Sequence, residues 1–267
     1  MELILTGSKG PQVELLQQRL TSAGYCVTVS GKFGDDTAAA VIALQRAANL
    51  VVDGVVGDKT RAALLKRDTS HLLSQADIEA AARVLGVDLA CVHAVKAVES
   101  RGHGFLEDGR PVILYERHVM RKRLAQNGVD ANRIAQLAER HPALVNKTPG
   151  GYKGGATEHY RLQLARGIDD TSALESCSWG LFQIMGYHWQ ALEYASIHDF
   201  VDRMQRSEGE QLDAFVRFVA ADAKLHTALQ GLNWTEFARR YNGPAYRKNK
   251  YDERLVQAHA GYRPVAA

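Results

Sequence analysis

Glu99 closes the stretch "DLACVHAVKAVESRGHG" (residues 88–104), in which Leu89, Val92, Val95 and Val98 recur at helical spacing before the chain falls into glycine and charge. A carboxyl on the last turn of a helix faces the carbonyl end, the negative pole of the helix dipole. Apolar neighbours such as Val95 and Val98 add desolvation. Both effects favour the protonated form, which is what a general acid working near neutral pH requires. The alternative is an exposed glutamate on a fraying turn, the common lot of glutamates.

Other chemistries find less support. His93, His103, His118, His141 and His159 lie near the segments of interest, yet none belongs to HExxH or another compact ligand motif, so no metal and no cofactor are expected. Cys26, Cys91 and Cys177 are far apart, with no CxxC pair. Their odd number argues against a disulfide framework, and buried, reduced thiols are expected. A formal net charge of +3 is too mild for a nucleic-acid binder; it suits an anionic polymer without selecting one. No window approaches the roughly 18 apolar residues of a membrane helix, so stable membrane insertion is not expected. The N-terminal "MELILTGSKG" has no basic start and does not read as a signal peptide, which implies synthesis in the cytoplasm.

The elements that must position Glu99 read as mainly helical, with no alternating pattern for a large sheet. Pro11 begins a helix with Val13, Leu16 and Leu20 inward. "GKFGDDTAAA" at Gly31 and "GVVGDKTRAA" at Gly54 then echo each other as G-x-x-G-D-x-T-x-A-A. Each reads as a tight turn followed by a helix start, with Asp35 and Asp58 expected to cap. The first of these helices runs toward Asn49, with Val41, Leu44 and Ala48 on one face; the second covers about 60–66. Together they make a three-helix domain over residues 1–66. Polar, aperiodic residues 67–75 form a linker, and a larger helical domain spans 76–267. Ser74 and Asp77 start a helix that ends at Gly86; Asp88 caps the next, and Gly102 terminates it. "PVILYERHVM" reads as a strand or as a helix start. Residues 146–156 form a glycine-rich loop. Further helices are expected at 157–166, 188–195, 199–206, 208–229 and 234–241, the last with a capping box of Asn233 and Glu236. The basic, aromatic C-terminal run from Tyr246 reads as a solvated helix face.

Two resemblances follow from these segments. "GPQVELLQQRLTSAGY" with "GKFGDDTAAAVIALQRAANLVVDGVVGDKTRAAL" resembles the three-helix peptidoglycan-binding module, over about 10–65, with Leu44 where that module often has Phe. Glu99-Ser100, then "SWGLFQIM" from Ser178, then Tyr241-Asn242 resemble, in that order, the lysozyme-like superfamily in its goose-type and transglycosylase branch. More narrowly, "LYERHVM", "GGY" and "SWGLFQIMGYHW" resemble the N-acetylmuramidase domain of modular phage endolysins. The resemblance implies a lysozyme-like helical domain, with a small strand or hairpin element, that acts on peptidoglycan.

Roles follow from that resemblance. Glu99 would protonate the leaving oxygen of the β-1,4 bond between N-acetylmuramic acid and N-acetylglucosamine. Ser100 would hold the loop after the helix. Ser178 and Gln183 would hydrogen-bond the sugar's N-acetyl or hydroxyl groups. Tyr241 would bond near Glu99 or line the cleft. Trp179 offers either a flat face for a sugar ring or ordinary core packing, and Asn242 either contacts substrate or simply shapes the turn before Gly243-Pro244. An inverting hydrolase also needs a base. Glu107, Asp108 and Glu116 are candidates, and Glu116, inside "LYERH", is taken as the second carboxylate, against the alternative of an ion pair with Arg117 or Arg121. Competing readings are a lytic transglycosylase that forms 1,6-anhydro ends, a non-catalytic wall-binding protein, and a metal-dependent amidase. The expected setting is a monomer that acts on the wall in the periplasm, with a separate membrane-permeabilising protein letting it out.

Overall fold

A computed structural model describes residues 3–100 and 102–262. Arg101 and residues 263–267, which fall within the expected catalytic domain, lie outside the described residues. The helices are α1 (Pro11–Ser22), α2 (Asp35–Ala47), α3 (Asp58–Leu64), α4 (Gln75–Leu85), α5 (Leu89–Glu99), α6 (Arg117–Gln126), α7 (Ala131–Arg140), α8 (Ala156–Arg166), α9 (Asp170–Glu175), α10 (Ile197–Arg206), α11 (Glu208–Ala221), α12 (Ala223–Gln230), α13 (Trp234–Tyr241) and α14 (Tyr251–Gly261). Three short strands, β1 (Ile113–Tyr115), β2 (Cys177–Trp179) and β3 (Ile184–Met185), form one antiparallel sheet in that order. The chain falls into two compact units, residues 1–94 with 257–267, and residues 95–256.

The first unit is built on the echoed turns. Val13, Leu16, Leu20, Phe33, Val41, Leu44 and Val56 share one core, as the helical spacing of α1 and α2 requires. What the spacing does not reveal is a pair of buried glutamines. Gln17 Oε1 accepts from the backbone N–H groups of Ser30 and Gly31, and its Nε2 donates to Lys32 O and to Thr37 Oγ1. Gln45 repeats the arrangement: its Oε1 accepts from Asp53 and Gly54 N–H, and its Nε2 donates to Val55 O, Asp53 Oδ1 and Thr60 Oγ1. Gly31 and Gly54 take matching left-handed φ of 68° and 69°. The echo is therefore a turn gripped by an amide from the preceding helix. The capping expected of Asp35 and Asp58 is corrected. Gly34 and Gly57 are the N-caps, so both aspartates sit inside the first turn and no side chain caps either helix. Asp36 instead accepts from Thr28 and Thr37 N–H.

Ser74 and Asp77 form a reciprocal capping box for α4, and Gly86 ends it in the left-handed region. Asp88 Oδ1 accepts from Cys91 N–H at the start of α5. Residues 67–75 are not loose: Thr69 Oγ1 donates to Ala48 O, Gln75 Oε1 accepts from Val52 N–H, and Leu73 is buried. Cys91 and Cys177 are buried free thiols, but Cys26 is exposed, contrary to expectation, because the turn after α1 carries it outside the core.

In the second unit "PVILYERHVM" is both a strand and a helix, β1 followed by α6. Other expectations are corrected. Residues 188–195 form no α-helix: a short 3-10 turn, Gly186–His188, is followed by irregular chain in which Glu193 takes φ 61°. Trp189 and Leu192, three apart, imitate a helical period, but the buried pair Leu192 and Tyr194 is two apart, a spacing that no helix face provides. The long helix over 208–229 is two, since Asp222 leaves helical geometry and caps α12 through Lys224 and Leu225 N–H. Asn233 caps α13, but Glu236 turns to Arg239 and Arg240 instead of completing a box. Helix α7, capped by Asp130 with Ile134 and Leu137 buried, and the short α9 were not anticipated.

Gln45→Leu should remove the grip on the second turn while leaving its N–H groups unpaired. A loss of about 2–4 kcal/mol of local stability is expected, read as faster amide exchange at Asp53 and Gly54. Unchanged exchange at both amides would refute the clamp.

Candidate functional site

Helix α5 ends on Glu99 with Val95 and Val98 buried beneath it. The carboxyl is half-buried, and its Oε1 accepts a hydrogen bond from Asn242 Nδ2 at 2.9 Å. Burial pushes its pKa up from 4.5 to about 7, against the smaller downward pulls of the Asn242 bond and the Arg254 charge. Asn242 stands at the C-cap of α13, where Gly243 (φ 73°) and Pro244 turn the chain away. The residue expected only to shape that turn thus reaches the acid itself.

Tyr241 does not bond Glu99. Its hydroxyl donates to Phe182 O at 3.0 Å, and its ring packs on Phe215 and Phe237. Burial, with the Glu99 charge second, raises its pKa well above the ordinary value. Adjacent residues of α13 therefore hold both the acid and the segment "SWGLFQIM". Within that segment Gln183 takes a left-handed φ of 55°. Its Nε2 donates to Gly180 O at 2.9 Å and to Val112 O, and its Oε1 accepts from Ser178 Oγ at 2.8 Å. The donors of Ser178 and Gln183 are thus committed to each other and to the turn between β2 and β3, which leaves acceptor lone pairs on Ser178 Oγ and Gln183 Oε1. Trp179 is corrected to a core residue: it is 2% exposed and its indole N–H donates to Leu174 O, so no sugar can lie on its face. The backbone N–H of Ser100 closes the last turn of α5 on Lys96 O.

Glu116 follows β1, and its backbone N–H donates to Ser176 O just before β2. Its Oε2 accepts from Tyr152 Oη at 2.8 Å and lies 3.1 Å from His118 Nδ1, so neither Arg117 nor Arg121 is its partner. Asp108 is exposed and paired with Arg110 at the tip of the hairpin after α5.

Two residues missed by the sequence reading fix the backbone around the site. Glu208 Oε1 accepts from Gly104 N–H; Gln211 donates to Gly104 O and Met204 O and accepts from Leu181 N–H. A Cβ on Gly104 or Gly180 would collide with the Gln211 side chain. The signal was present. Glu208 and Gln211 fall on the face of α11 that otherwise carries the buried Leu212, Phe215 and Val219. A third polar cluster holds the glycine-rich loop. Buried Glu158 accepts from the N–H groups of Tyr115, Lys153 and Gly154 and from Arg161, while Arg117 donates to Thr148 O and Pro149 O. Burial alone would raise the Glu158 pKa, but these donors together hold it low. No group of histidine, cysteine and carboxylate side chains fit to hold a metal is found among the described residues.

Residues 88–263 match the family described as N-acetylmuramidase, and residues 9–64 match a peptidoglycan binding domain. The fold is similar to the "Crystal structure of Burkholderia AP3 phage endolysin", with 47% identity and a TM-score of 0.87, covering 97% of this chain and 98% of that one. Shorter similarities are to two Bacillus licheniformis proteins. One is "Probable N-acetylmuramoyl-L-alanine amidase", 35% identical over 71 residues and 26% of this chain. The other is "N-acetylmuramoyl-L-alanine amidase CwlL", 38% identical over 65 residues and 23% of this chain. The match spans only 20% and 18% of the length of those curated relatives.

Folded Glu99 holds its proton more tightly than the unfolded group, about 7 against 4.5. The stability this contributes is complete below 4.5 and is lost as pH rises through about 7. Glu99→Gln should therefore gain stability relative to wild type as pH rises across that window, measured by denaturant unfolding. A difference that stays flat across it would contradict the shift. Asn242→Leu should move the Glu99 midpoint higher in a side-chain carboxyl NMR titration.

Proposed function

This chain belongs to the N-acetylmuramidase family, and from that premise we propose that it cuts the β-1,4 bond between N-acetylmuramic acid and N-acetylglucosamine in peptidoglycan, with Glu99 as general acid. The observation that carries this reading is Glu99 kept protonated to about 7 at the end of α5, with Asn242 bonded to its oxygen. The protonated carboxyl gives its proton to the leaving glycosidic oxygen as the C1–O bond breaks. Asn242 orients the acid and then stabilises the carboxylate left behind. Activity should fall as pH rises through the Glu99 pKa, because the acid is then spent before substrate arrives. Ser178 and Gln183 shape the turn between β2 and β3, and the acceptor lone pairs left on Ser178 Oγ and Gln183 Oε1 are the proposed partners of the sugar's N-acetyl N–H or hydroxyl groups. Ser100 holds the loop that leaves α5.

Two fates are open to the sugar cation. A base can deliver water, and Glu116, held by Tyr152 and His118, is the proposed second carboxylate. Alternatively the sugar's own 6-hydroxyl closes a 1,6-anhydro ring, which needs no second carboxylate. This second reading is kept because Glu116 Oε2 is already engaged by Tyr152 and faced by His118. The test is mass spectrometry of released muropeptides, where anhydro ends are lighter by one water. Hydrolysis should give the heavier ends and should slow in Glu116→Gln. Anhydro ends with undiminished Glu116→Gln activity would assign transglycosylation. Glu99→Gln should abolish cleavage of either kind, with a loss on the order of 100-fold or more; full lysis by that variant would sink the assignment.

Residues 1–66 are the proposed wall-binding domain, 67–75 the connection and 76–267 the catalytic domain, which acts on the bacterial wall as a phage endolysin. In this scheme the protein is a monomer made in the host cytoplasm, reaching the periplasm through a separate membrane-permeabilising protein. A tethered binder raises the effective concentration of an insoluble substrate without adding catalytic contacts. Deleting 1–66 should slow lysis of intact walls far more than cleavage of soluble fragments; equal slowing of both would remove that role.

A further inference from the structure

The 95–256 unit contains a concavity of about 560 Å³ whose lining does not include Glu99. Its size lies within the roughly 300–1,000 Å³ typical of small-ligand sites. Leu174 and Trp179 close its floor from the core, each only 2% exposed. Arg110 enters from the hairpin after α5, Gln163 and Arg166 from α8, and Gln205 from α10. No acidic side chain is among the described lining residues. Tyr160, also on α8, borders the cleft and is 65% exposed. The wall that carries Arg110 is fixed, because His159 Nε2 lies 2.8 Å from Pro111 O and ties α8 to the base of the hairpin.

Both guanidiniums retain donors. Arg110 uses Nε and Nη2 on Asp108, and Arg166 uses Nε on Asp170, which also faces His198. The members of both arginine–aspartate pairs are 40–45% exposed, so these are surface pairs that contribute little and exchange readily. A ligand carboxylate can share or take over the planar fork of each arginine. Between them the glutamine amides offer donor and acceptor together, the complement of a peptide group. Cations on two different elements, with two amides in the same lining, match a peptide that carries more than one carboxylate.

We propose that this cleft binds the carboxylate-bearing stem peptide of peptidoglycan, with Arg110 and Arg166 holding its carboxylates and Gln163 and Gln205 its peptide groups. The proposal rests on peptidoglycan being the substrate and adds a peptide subsite to the glycan-cleaving one. The other source of the same chemistry is the lactyl carboxylate of glycan strands whose stems have been removed.

The test is calorimetric titration of the full chain with purified tetrapeptide stem and, separately, with stem-free glycan. Wild type should bind the peptide saturably. The Arg110→Gln/Arg166→Gln double variant should bind it about tenfold or more weakly, and the Arg110→Lys/Arg166→Lys variant should recover part of the loss. The Gln double variant should still cut stem-free glycan at the wild-type rate, which also reports that it is folded, while its KM for stem-bearing strands rises. Absence of saturable peptide binding by wild type overturns the proposal, as does equal binding by the Gln variant or binding of stem-free glycan alone. Because the peptide titration requires no cleavage, its outcome is separate from that of the muramidase reading. Failure of the latter shows as no cut glycan with wild type.

Discussion

The amide of Gln211 is the joint on which the geometry around Glu99 turns. One buried side chain donates to the loop that leaves α5, at Gly104, and accepts from the turn that carries Gln183, at Leu181. Both segments are thereby referenced to one rigid helix, α11. Because the oxygen and the nitrogen are each committed, the amide has a single orientation, and a slip of either loop would strand a buried polar group. The two glycines at the contact leave the room the amide occupies. Glu99 owes its surroundings to this joint and to α13, which supplies the Tyr241 strut on its last residue and Asn242 at its C-cap.

The same device recurs through the chain. Gln17 and Gln45 grip the two echoed turns, Glu158 grips the loop before α8, and Glu175 binds Arg123, Asn127 and the Trp189 indole. Helices satisfy their own backbone, but connecting segments do not. A mainly helical protein that places chemistry on its connections must supply partners for them from side chains. Burial strengthens those bonds and makes each unmade one costly, so each loop is held in one arrangement.

What could be read in the sequence divides along this line. Caps such as Ser74 with Asp77, Gly86 and Asp88 are local, and their spacing states them. The inward faces of α1, α2 and α5 follow from periodicity. The pairing of Glu99 with Asn242 spans 143 positions, so no spacing rule expresses it; only the order of motifs suggested that these residues meet. Trp179 was ambiguous because an aromatic on a short strand looks the same whether it faces ligand or core. Burial decides that, and burial is a property of the fold. Glu208 and Gln211 were overlooked because a polar residue on an apolar helix face reads as noise until its backbone partner is known. The false helix at 188–195 shows the converse, in which apolar residues imitate a period while Glu193 breaks it.

The segment before α8 carries one further consequence. Gly150, Gly151, Gly154 and Gly155 all take left-handed φ, a composition usually equated with pliability. Yet Arg117 fastens the carbonyls of Thr148 and Pro149, and Glu158 fastens the amides of Lys153 and Gly154. The glycines here buy contour instead of motion. Tyr152 is carried at the crest of a bracket bolted at both feet, so whatever approaches Glu116 meets a preset wall and must conform to it, not the reverse.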